Sequence, residues 1–528
     1  MTPRRAVATA LLLVALFAGL TLWEMSGDSL VTDERWHLPV GYAYWKTREF
    51  RLSPDNPPLA RLLAAAPLLT LDLNLPPTTP PEGRSFHGYP VPFGTAFFRL
   101  NPDVDRILFR SRLPIVGLGI LLIGSLCLWS WRLHGDPRAG LLTLALAALE
   151  PTLLAHGHYV TTDMALAAFV VPAFAWLWAW SKSGRRRDLA FAAAAMGMAL
   201  ASKYPALVFL PAFVGLMLLR GPGARRDAAP ARRLLLAGAA LVLMGVIIQA
   251  SYLFSAGPGI YLSGPADLMA YKPTDAQTWA LGAFHAGNPW WYAPFAWLVK
   301  TPIPTMLLIA AGIAAAYGGR RSDPGRWRDL RDFVLLPAGL HAVAIAMLSA
   351  SLGVRYLIPT TAFLLVAAGA AAAPLLATRG RRIAAVALGL WLVASVGRAA
   401  PEFIAYFNES IGARTNAPFV LHDSNLDWGQ DLKRLARWQK EKAVPLLVLS
   451  YWGGAQPEYY GVHWRPMTGE EARADTPPPG VYAISVNRLI DMKKSAVLKG
   501  DDPRVDWLAR FTPSERVGAS IYIYRFGP

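Results

Sequence analysis

The sequence predicts an α-helical polytopic membrane protein with a small α/β domain at its C-terminal end, outside the membrane. Three observations predict it. Of the 528 residues, 54% are hydrophobic and only 16% charged, against roughly 25% charged in soluble domains. Apolar runs of roughly 18 or more residues, long enough to span a bilayer, recur through about the first 400 positions. The basic residues between those runs fall in alternate connections, the distribution that sets topology.

Met1 to Arg5 carries two arginines, and an apolar run follows at about 6–23. A cleaved leader would end on small residues, but Trp23-Glu24-Met25 stands there, so a retained span is expected. A long loop at about 26–106 comes next, within which Pro58–Leu73 is apolar but short for a span and is expected to lie along the membrane surface. Leu75–Pro81 is proline-rich and reads as irregular chain. Further spans are expected at about 107–131, 138–155, 159–180, 188–202, 204–219, 234–254, 300–317, 333–350, 357–377 and 383–399, about eleven in all.

With the N-terminus cytoplasmic, one side holds Arg132 and Arg138; Lys182 and Arg185 to Arg187; Arg225, Arg226, Arg232 and Arg233; Arg320, Arg321, Arg326, Arg328 and Arg331; and Arg379, Arg381 and Arg382. One missed or invented span would break this alternation. The net charge of +17 is thereby explained by topology, and no basic groove interleaved with aromatics points to nucleic acid. The single cysteine, Cys127, lies in an apolar run, so neither an intrachain disulfide nor a cysteine-based zinc site is available. Residues 1–399 thus read as a membrane domain with external loops at 26–106 and 255–299. Residues 400–528 read as an extracytoplasmic domain with strands at Pro445–Tyr451, Gly480–Val486 and Ser520–Phe526 and a helix near Asp427–Lys442. Richness in Arg, Ala and Pro fits a bacterial chain, hence a bacterial inner membrane.

The remaining ionisable residues converge on the external face. Asp33, Glu34 and His37 follow the first span, with Trp36, Tyr42, Tyr44 and Trp45 close behind and Asn56-Pro57-Pro58-Leu59 further on. His156, His158 and Asp163 mark the second external turn, and Lys203 the third; His285 and Lys300 flank the second long loop, and Arg355 and Tyr356 open the tenth span. Each has a plain alternative. Asp163 after Thr161-Thr162 suits a helix cap, and Lys203 and Lys300 suit interfacial lysines. Arg355 suits a structural tie, and Trp290, Trp291 and Tyr292 an aromatic belt. Together the acids, imidazoles and bases suit an anionic head group at the outer leaflet, with bases for a phosphate and a carboxylate for proton abstraction. Asp33 is the expected base, because adjacent residues do not share a face and Glu34 must point elsewhere. Lys203 and Arg355, with nothing in the sequence to neutralise them, are expected to hold the phosphate; His285 and Lys300 are further candidates. In the tail, Asp423, Asn425 and Asp427 either bind a hydroxyl-rich acceptor or are structural, Asp427 as a helix cap.

At these residues the chain resembles the GT-C glycosyltransferases, above all glycosyltransferase family 39. That family includes the protein O-mannosyltransferases and the bacterial aminoarabinose transferase for lipid A. The resemblance is carried by the Asp33-Glu34 pair after the first span, Pro57-Pro58-Leu59, Thr162-Asp163-Met164, Ser202-Lys203-Tyr204-Pro205, Lys300-Thr301-Pro302 and Gly353-Val354-Arg355-Tyr356. It covers roughly the first 360 residues in patches, and Asn56 departs from a common His. The tail phrase Asp423 to Leu432 is similar to one in uncharacterised bacterial relatives. The resemblance implies a polyprenyl-phosphate sugar donor, inverting transfer at the outer leaflet to a protein, lipid or glycan acceptor, and Asp33, Glu34 and Asp163 as catalytic carboxylates. Some GT-C enzymes use a divalent metal and others do not, and which holds here is open; Asp33 with Asp163, alone or with a His, would form a carboxylate-rich site suited to Mg or Mn. Two other readings compete. A transporter or flippase of a lipid-linked or anionic substrate would show repeated halves and charges at mid-membrane. A scaffold would not need Asp33 and Asp163 together.

Overall fold

The computed structural model describes residues 3–82, 85–221, 230–255, 258–270, 277–348 and 350–527. Arg225 and Arg226 of the basic connection lie outside the described residues, as do parts of the expected 255–299 loop.

The first apolar run is one helix, α1 (Pro3–Gly27), about 37 Å long at 1.5 Å per residue. The long loop after it carries three helices, α2 (Glu34–Thr47), α3 (Leu59–Ala65) and α4 (Pro90–Leu100). Then follow α5 (Val104–His134), α6 (Pro137–Ala148), α7 (Pro151–His156), α8 (Asp163–Ser183), α9 (Arg186–Leu200), α10 (Leu210–Arg220) and α11 (Pro230–Ser251). After α12 (Pro258–Ala270), the antiparallel hairpin β1 (Gln277–Ala280) and β2 (Ala283–Ala286), and α13 (Tyr292–Lys300), the chain runs through six more helices. These are α14 (Ile303–Gly318), α15 (Pro324–Leu330), α16 (Leu336–Leu348), α17 (Ile358–Ala368), α18 (Ala372–Leu375) and α19 (Arg379–Gly397).

Among the described residues, eight helices are long and apolar enough to cross a membrane. The other three expected spans are shorter helices, for local reasons. Pro151 lacks an N–H and restricts Glu150 before it, so the third run breaks into α6 and α7. The fifth run yields only the 15 residues of α9. The sixth begins as a 3-10 turn at Tyr204 that leads into α10. Polar residues start the helices where the sequence provides them. Asp103 and Asp136 accept the N–H groups of Arg106 and Arg138 at the starts of α5 and α6.

The helix ends sort into two groups. At one end Lys182 and Arg220 pair with Asp329, and Arg220 and Arg331 pair with Asp332. At the other end Gly27 lies beside Arg434, Asp105 pairs with Lys433, Lys300 donates to the carbonyls of Ile404 and Asn425, and Arg398 pairs with Glu409, so these ends meet the C-terminal domain. That domain is built on a five-stranded sheet. It comprises β3 (Leu447–Ser450), β4 (Trp464–Pro466), β5 (Gly480–Ser485), β6 (Glu515–Val517) and β7 (Ile521–Phe526), in the order β4-β3-β5-β7-β6. β3 runs parallel to β4 and β5, and β7 antiparallel to β5 and β6. Two helices precede it, α20 (Ala417–Val420) and α21 (Leu432–Glu441). α21 starts at Leu432 rather than near Asp427, and β4 and β6 were not expected, being three residues each.

The apolar core is continuous between the two parts. Phe17 and Tyr159 belong to the same buried cluster as Trp428, Leu432, Leu435 and Leu447. The hairpin also docks on the sheet domain: Trp279 shares a buried apolar cluster with Tyr482 and Trp507, and its indole N–H donates to the Pro418 carbonyl at 2.7 Å.

Candidate active site

The Asp33–Glu34 pair sits where α2 begins, and the helix start sends the two side chains apart. Glu34 is fully buried and meets Arg112 of α5 twice, at 2.8 and 2.7 Å. Its oxygens also accept the N–H groups of Val31 and Val160, both at 3.1 Å. Arg112 spends its other donors on the carbonyls of Asp28 and Ser29. All four of these contacts are with the protein itself, so the fold gives Glu34 a bracing part, whereas the sequence suggested a share in catalysis. It ties α2 to α5 and to the 157–162 turn, and both ions are hydrogen-bonded as burial requires.

Asp33 goes the other way. One of its oxygens accepts an N–H of Arg355 at 2.6 Å. The same guanidinium nitrogen lies 3.6 Å from Asp163, which in turn takes Lys203 at 2.5 Å. Four side chains from the starts of α2 and α8, the end of α9 and the turn before α17 thus form one buried quartet of two acids and two bases. The two bases are not free, as the sequence suggested, but already paired. Tyr356 lies beneath both, its ring 4.3 Å from the Lys203 ammonium and 5.2 Å from the Arg355 guanidinium. Burial pulls the Lys203 ammonium below its ordinary range, against the attraction of Asp163.

His37, one turn along α2, stands beside this group. Its Nδ1 accepts from Arg61 at 2.8 Å, and Arg61 is anchored by Asp55 and the Ser53 carbonyl. Burial and the Arg61 guanidinium hold the imidazole well below its ordinary value, so His37 is neutral with its proton on Nε2. Asn56 donates to Asp55 and so supports the same anchor. His156 is also neutral, pulled down to about 3 by burial. His158 instead donates toward Asp28 at 3.2 Å, alongside the Tyr159 hydroxyl and Arg434. Burial alone would push the Asp28 carboxyl up; Arg434, His158 and Tyr159 bring it down to about 2.

The tail loop 422–430 builds the far wall. Asn425 is fully buried and accepts the N–H of Val354 at 3.0 Å, while its amide donates to Tyr292 and to the His422 carbonyl. It fixes the residue before Arg355. Gly353 has φ +133°, and a Cβ there would sit 2.4 Å from the Ser424 hydroxyl oxygen, so only glycine permits this approach. Lys300 is buried and donates to the carbonyls of Ile404 and Asn425, and so braces the loop. Asp427 does not cap the helix that follows it in sequence, α21. Its oxygens accept from Gly429 and Asn487 inside the tail domain, and burial pushes its carboxyl up to about 7. Asp423 is half-buried at φ +58°, and burial raises it to about 6, Arg355 opposing. Trp428, fully buried, lays its ring 4.4 Å from the Arg355 guanidinium. His285 is not brought to the quartet; it contacts the Ala280 carbonyl and the edge of Trp291 on the hairpin.

Sequence reasoning missed Arg112, Arg61 and Asp28, and it read Trp428 as part of an acceptor site rather than as a neighbour of Arg355. The first two carried a visible signal, an arginine inside an apolar run, which is costly unless paired. No signal in the sequence points Trp428 at Arg355. For a divalent metal the residues do not fit as they stand. Arg355 occupies the space between Asp33 and Asp163, and among the described residues no group of three His, Cys, Asp or Glu side chains could hold an ion.

Residues 96–251 match the family model described as dolichyl-phosphate-mannose-protein mannosyltransferase. No curated protein matches the chain in sequence. Among solved structures, the chain is similar to ArnT from Cupriavidus metallidurans in the apo state, with TM-score 0.52, 14% identity and 98% of each chain covered. It is equally similar to the same protein bound to undecaprenyl phosphate, with TM-score 0.51, 15% identity and 97% of each chain covered. With the helix order, the quartet and the sheet domain in place, these likenesses show that the chain has the GT-C fold, in the form seen in ArnT.

Proposed function

We propose that the chain is a membrane glycosyltransferase that moves a sugar from a polyprenyl-phosphate donor to an acceptor hydroxyl on the extracytoplasmic face. The observation that carries this is the Asp33–Arg355–Asp163–Lys203 quartet, gathered at the helix ends nearest the C-terminal domain. It offers a carboxylate for a proton and two cations for a phosphate within one small volume. The family match over residues 96–251 and the GT-C fold support the same chemistry.

The reaction is one displacement. The acceptor oxygen bonds to the anomeric carbon as its proton passes to Asp33. The bond from that carbon to the phosphate oxygen breaks, and the lipid phosphate leaves with the electron pair, so the sugar inverts. Arg355 and Lys203 stabilise the charge that develops on the leaving group. His37, neutral and held by Arg61, offers its Nε2–H to a sugar or phosphate oxygen. Arg355 fills the gap between the acids, so no step passes through a metal. The basic residues at the opposite helix ends support a reading in which those ends face the cytoplasm and the tail lies outside. The acceptor is a hydroxyl on a protein, lipid or glycan.

A binding measurement tests this reading. Purified protein in lipid nanodiscs should hold undecaprenyl phosphate at least about 10-fold more tightly than undecaprenol, because the phosphate gains charge-assisted hydrogen bonds. Equal affinity for the two lipids would contradict it.

A further inference from the structure

Residues 432–442, α21 and the residue after it, carry five basic side chains. The protein neutralises three of them. Lys433 pairs with Asp105 at 2.8 Å, Arg434 with Asp28 at 2.8 Å and Asp431 at 2.6 Å, and Lys442 with Glu515 at 3.5 Å. The other two, Arg437 and Lys440, are exposed, and among the described residues neither side chain has an acid or a hydrogen-bond partner. Both line one cavity of about 680 Å³ between α21 and the 460–463 segment. Tyr460 and His463 stand on its other side, and no carboxylate lines it. Gln439 ties the two walls together. Its amide donates to the His463 carbonyl at 2.7 Å and accepts the His463 N–H at 3.0 Å. Tyr460 is anchored in turn, its hydroxyl accepting the N–H of Leu30 at 2.9 Å.

The cavity begins at the level of lipid head groups. α5 has 31 residues, about 46 Å at 1.5 Å per residue, against a hydrocarbon core of about 30 Å and a whole bilayer of about 40–45 Å. Its first turn therefore reaches past the hydrocarbon. The exposed side chains change character there: Asp105 and Arg106 are exposed, and then Phe109 is 55% and Leu113 41% exposed. On α1 the last large apolar side chain left exposed is Trp23, at 51%, an indole of the kind that sits at the membrane surface. Asp105 is the residue that holds Lys433. Arg437 follows Lys433 by one helical turn on the same face, about 6 Å along the axis.

We infer that this cavity is a binding site for the phosphate head group of an anionic phospholipid, in the leaflet at this end of the helices. Arg437 offers the phosphate a paired contact and Lys440 a point charge. Bases at this depth are drawn to an anionic membrane surface. The inference rests on the membrane-spanning fold and not on the glycosyltransferase reading. It gives the C-terminal domain a hold on the bilayer besides its contacts with α1 and α5.

A crosslinking experiment tests it. The full chain is placed in nanodiscs containing phosphatidylglycerol with a photoreactive head group, or phosphatidylcholine labelled in the same way, whose phosphate is offset by choline. Labelled peptides are then read by mass spectrometry. Wild type should be labelled at residues 436–445 and 460–463, about 10-fold more by phosphatidylglycerol than by phosphatidylcholine. Arg437→Gln/Lys440→Gln should lose most of that labelling. Its labelling at residues 320–331, on the opposite helix ends, should stay as in wild type and report that the chain is inserted. Arg516→Gln/Lys499→Gln, which removes two exposed bases of the same domain outside the cavity, should label as wild type does. Equal labelling of the cavity by the two lipids would overturn the inference, and so would full labelling of the Arg437→Gln/Lys440→Gln protein. Excess inorganic phosphate at constant ionic strength should leave the labelling unchanged; if it abolished it, the cavity would be a site for free phosphate and the lipid assignment would fall. Should the doubly substituted protein not insert, the comparison of the two lipids on wild type still decides.

Discussion

Asp33 and Glu34 are neighbours in sequence and strangers in space. That much was legible, because adjacent side chains cannot share a face. Their partners were not, because Arg112 lies 78 residues from Glu34 and Arg355 lies 322 residues from Asp33. The difference in partners has a measurable consequence. Glu34→Gln leaves a fully buried Arg112 without its bidentate acid, a change of about 3–5 kcal/mol when a buried pair is broken. Asp33→Asn leaves Arg355 with Asp163 still near, so it should disturb folding less. Thermal unfolding of the two purified variants should show a clearly larger drop in Tm for Glu34→Gln, and the reverse order would put the structural role on Asp33 instead. The lysines and Arg355 show the limit of reading charges one at a time. In sequence nothing neutralises Lys203 or Arg355; in the fold each is already paired with an acid from another element.

At the scale of elements, the spans were legible because their apolar runs are long, and hydropathy does not need tertiary context. The exceptions have local causes: the Glu150-Pro151 break and the short α9. The short strands β4 and β6 were illegible, since three residues carry no period. The loop 422–430 was marked by its density of polar residues, but its use was not. Asn425 and Lys300 brace the backbone, Asp427 serves the tail domain, and Asp423, half-buried, lies within electrostatic reach of Arg355 and Asp33. With its carboxyl raised to about 6 by burial, Asp423 is charged above that pH and neutral below it. A charged Asp423 opposes an anion at Arg355, so its effect on phosphate binding grows as pH rises through about 6. Asp423→Asn should tighten undecaprenyl phosphate binding about 3- to 10-fold at pH 7.5 and change it little at pH 5. Comparing variant with wild type at each pH cancels the ionisation of the phosphate itself, which also falls near pH 6. An equal effect at both pH values would remove Asp423 from the site.

Over the whole molecule, two sets of charges divide the labour. In the proposed reading, the arginines at one set of helix ends orient the chain, and the mixed acids and bases at the other set form the site. The C-terminal domain packs into that second set through Trp428, Asn425 and the residues pairing with Ser29 and Thr32. It cannot be a loosely tethered appendage, and it must lie on the side where the site opens. A reporter active only outside the cytoplasm, fused after Pro528, should therefore give signal, and a membrane-inserted but silent fusion would overturn the orientation.

The central claim is that Asp33 takes the proton of the acceptor while the lipid phosphate leaves. Transfer of sugar from undecaprenyl-phosphate sugars by the purified protein, wild type against Asp33→Asn, tests it most directly. A general base contributes roughly 100- to 10,000-fold. The substitution should therefore lower the rate by that range, with the protein folded and its undecaprenyl phosphate affinity retained or tighter. Transfer by Asp33→Asn at near the wild-type rate would contradict the account.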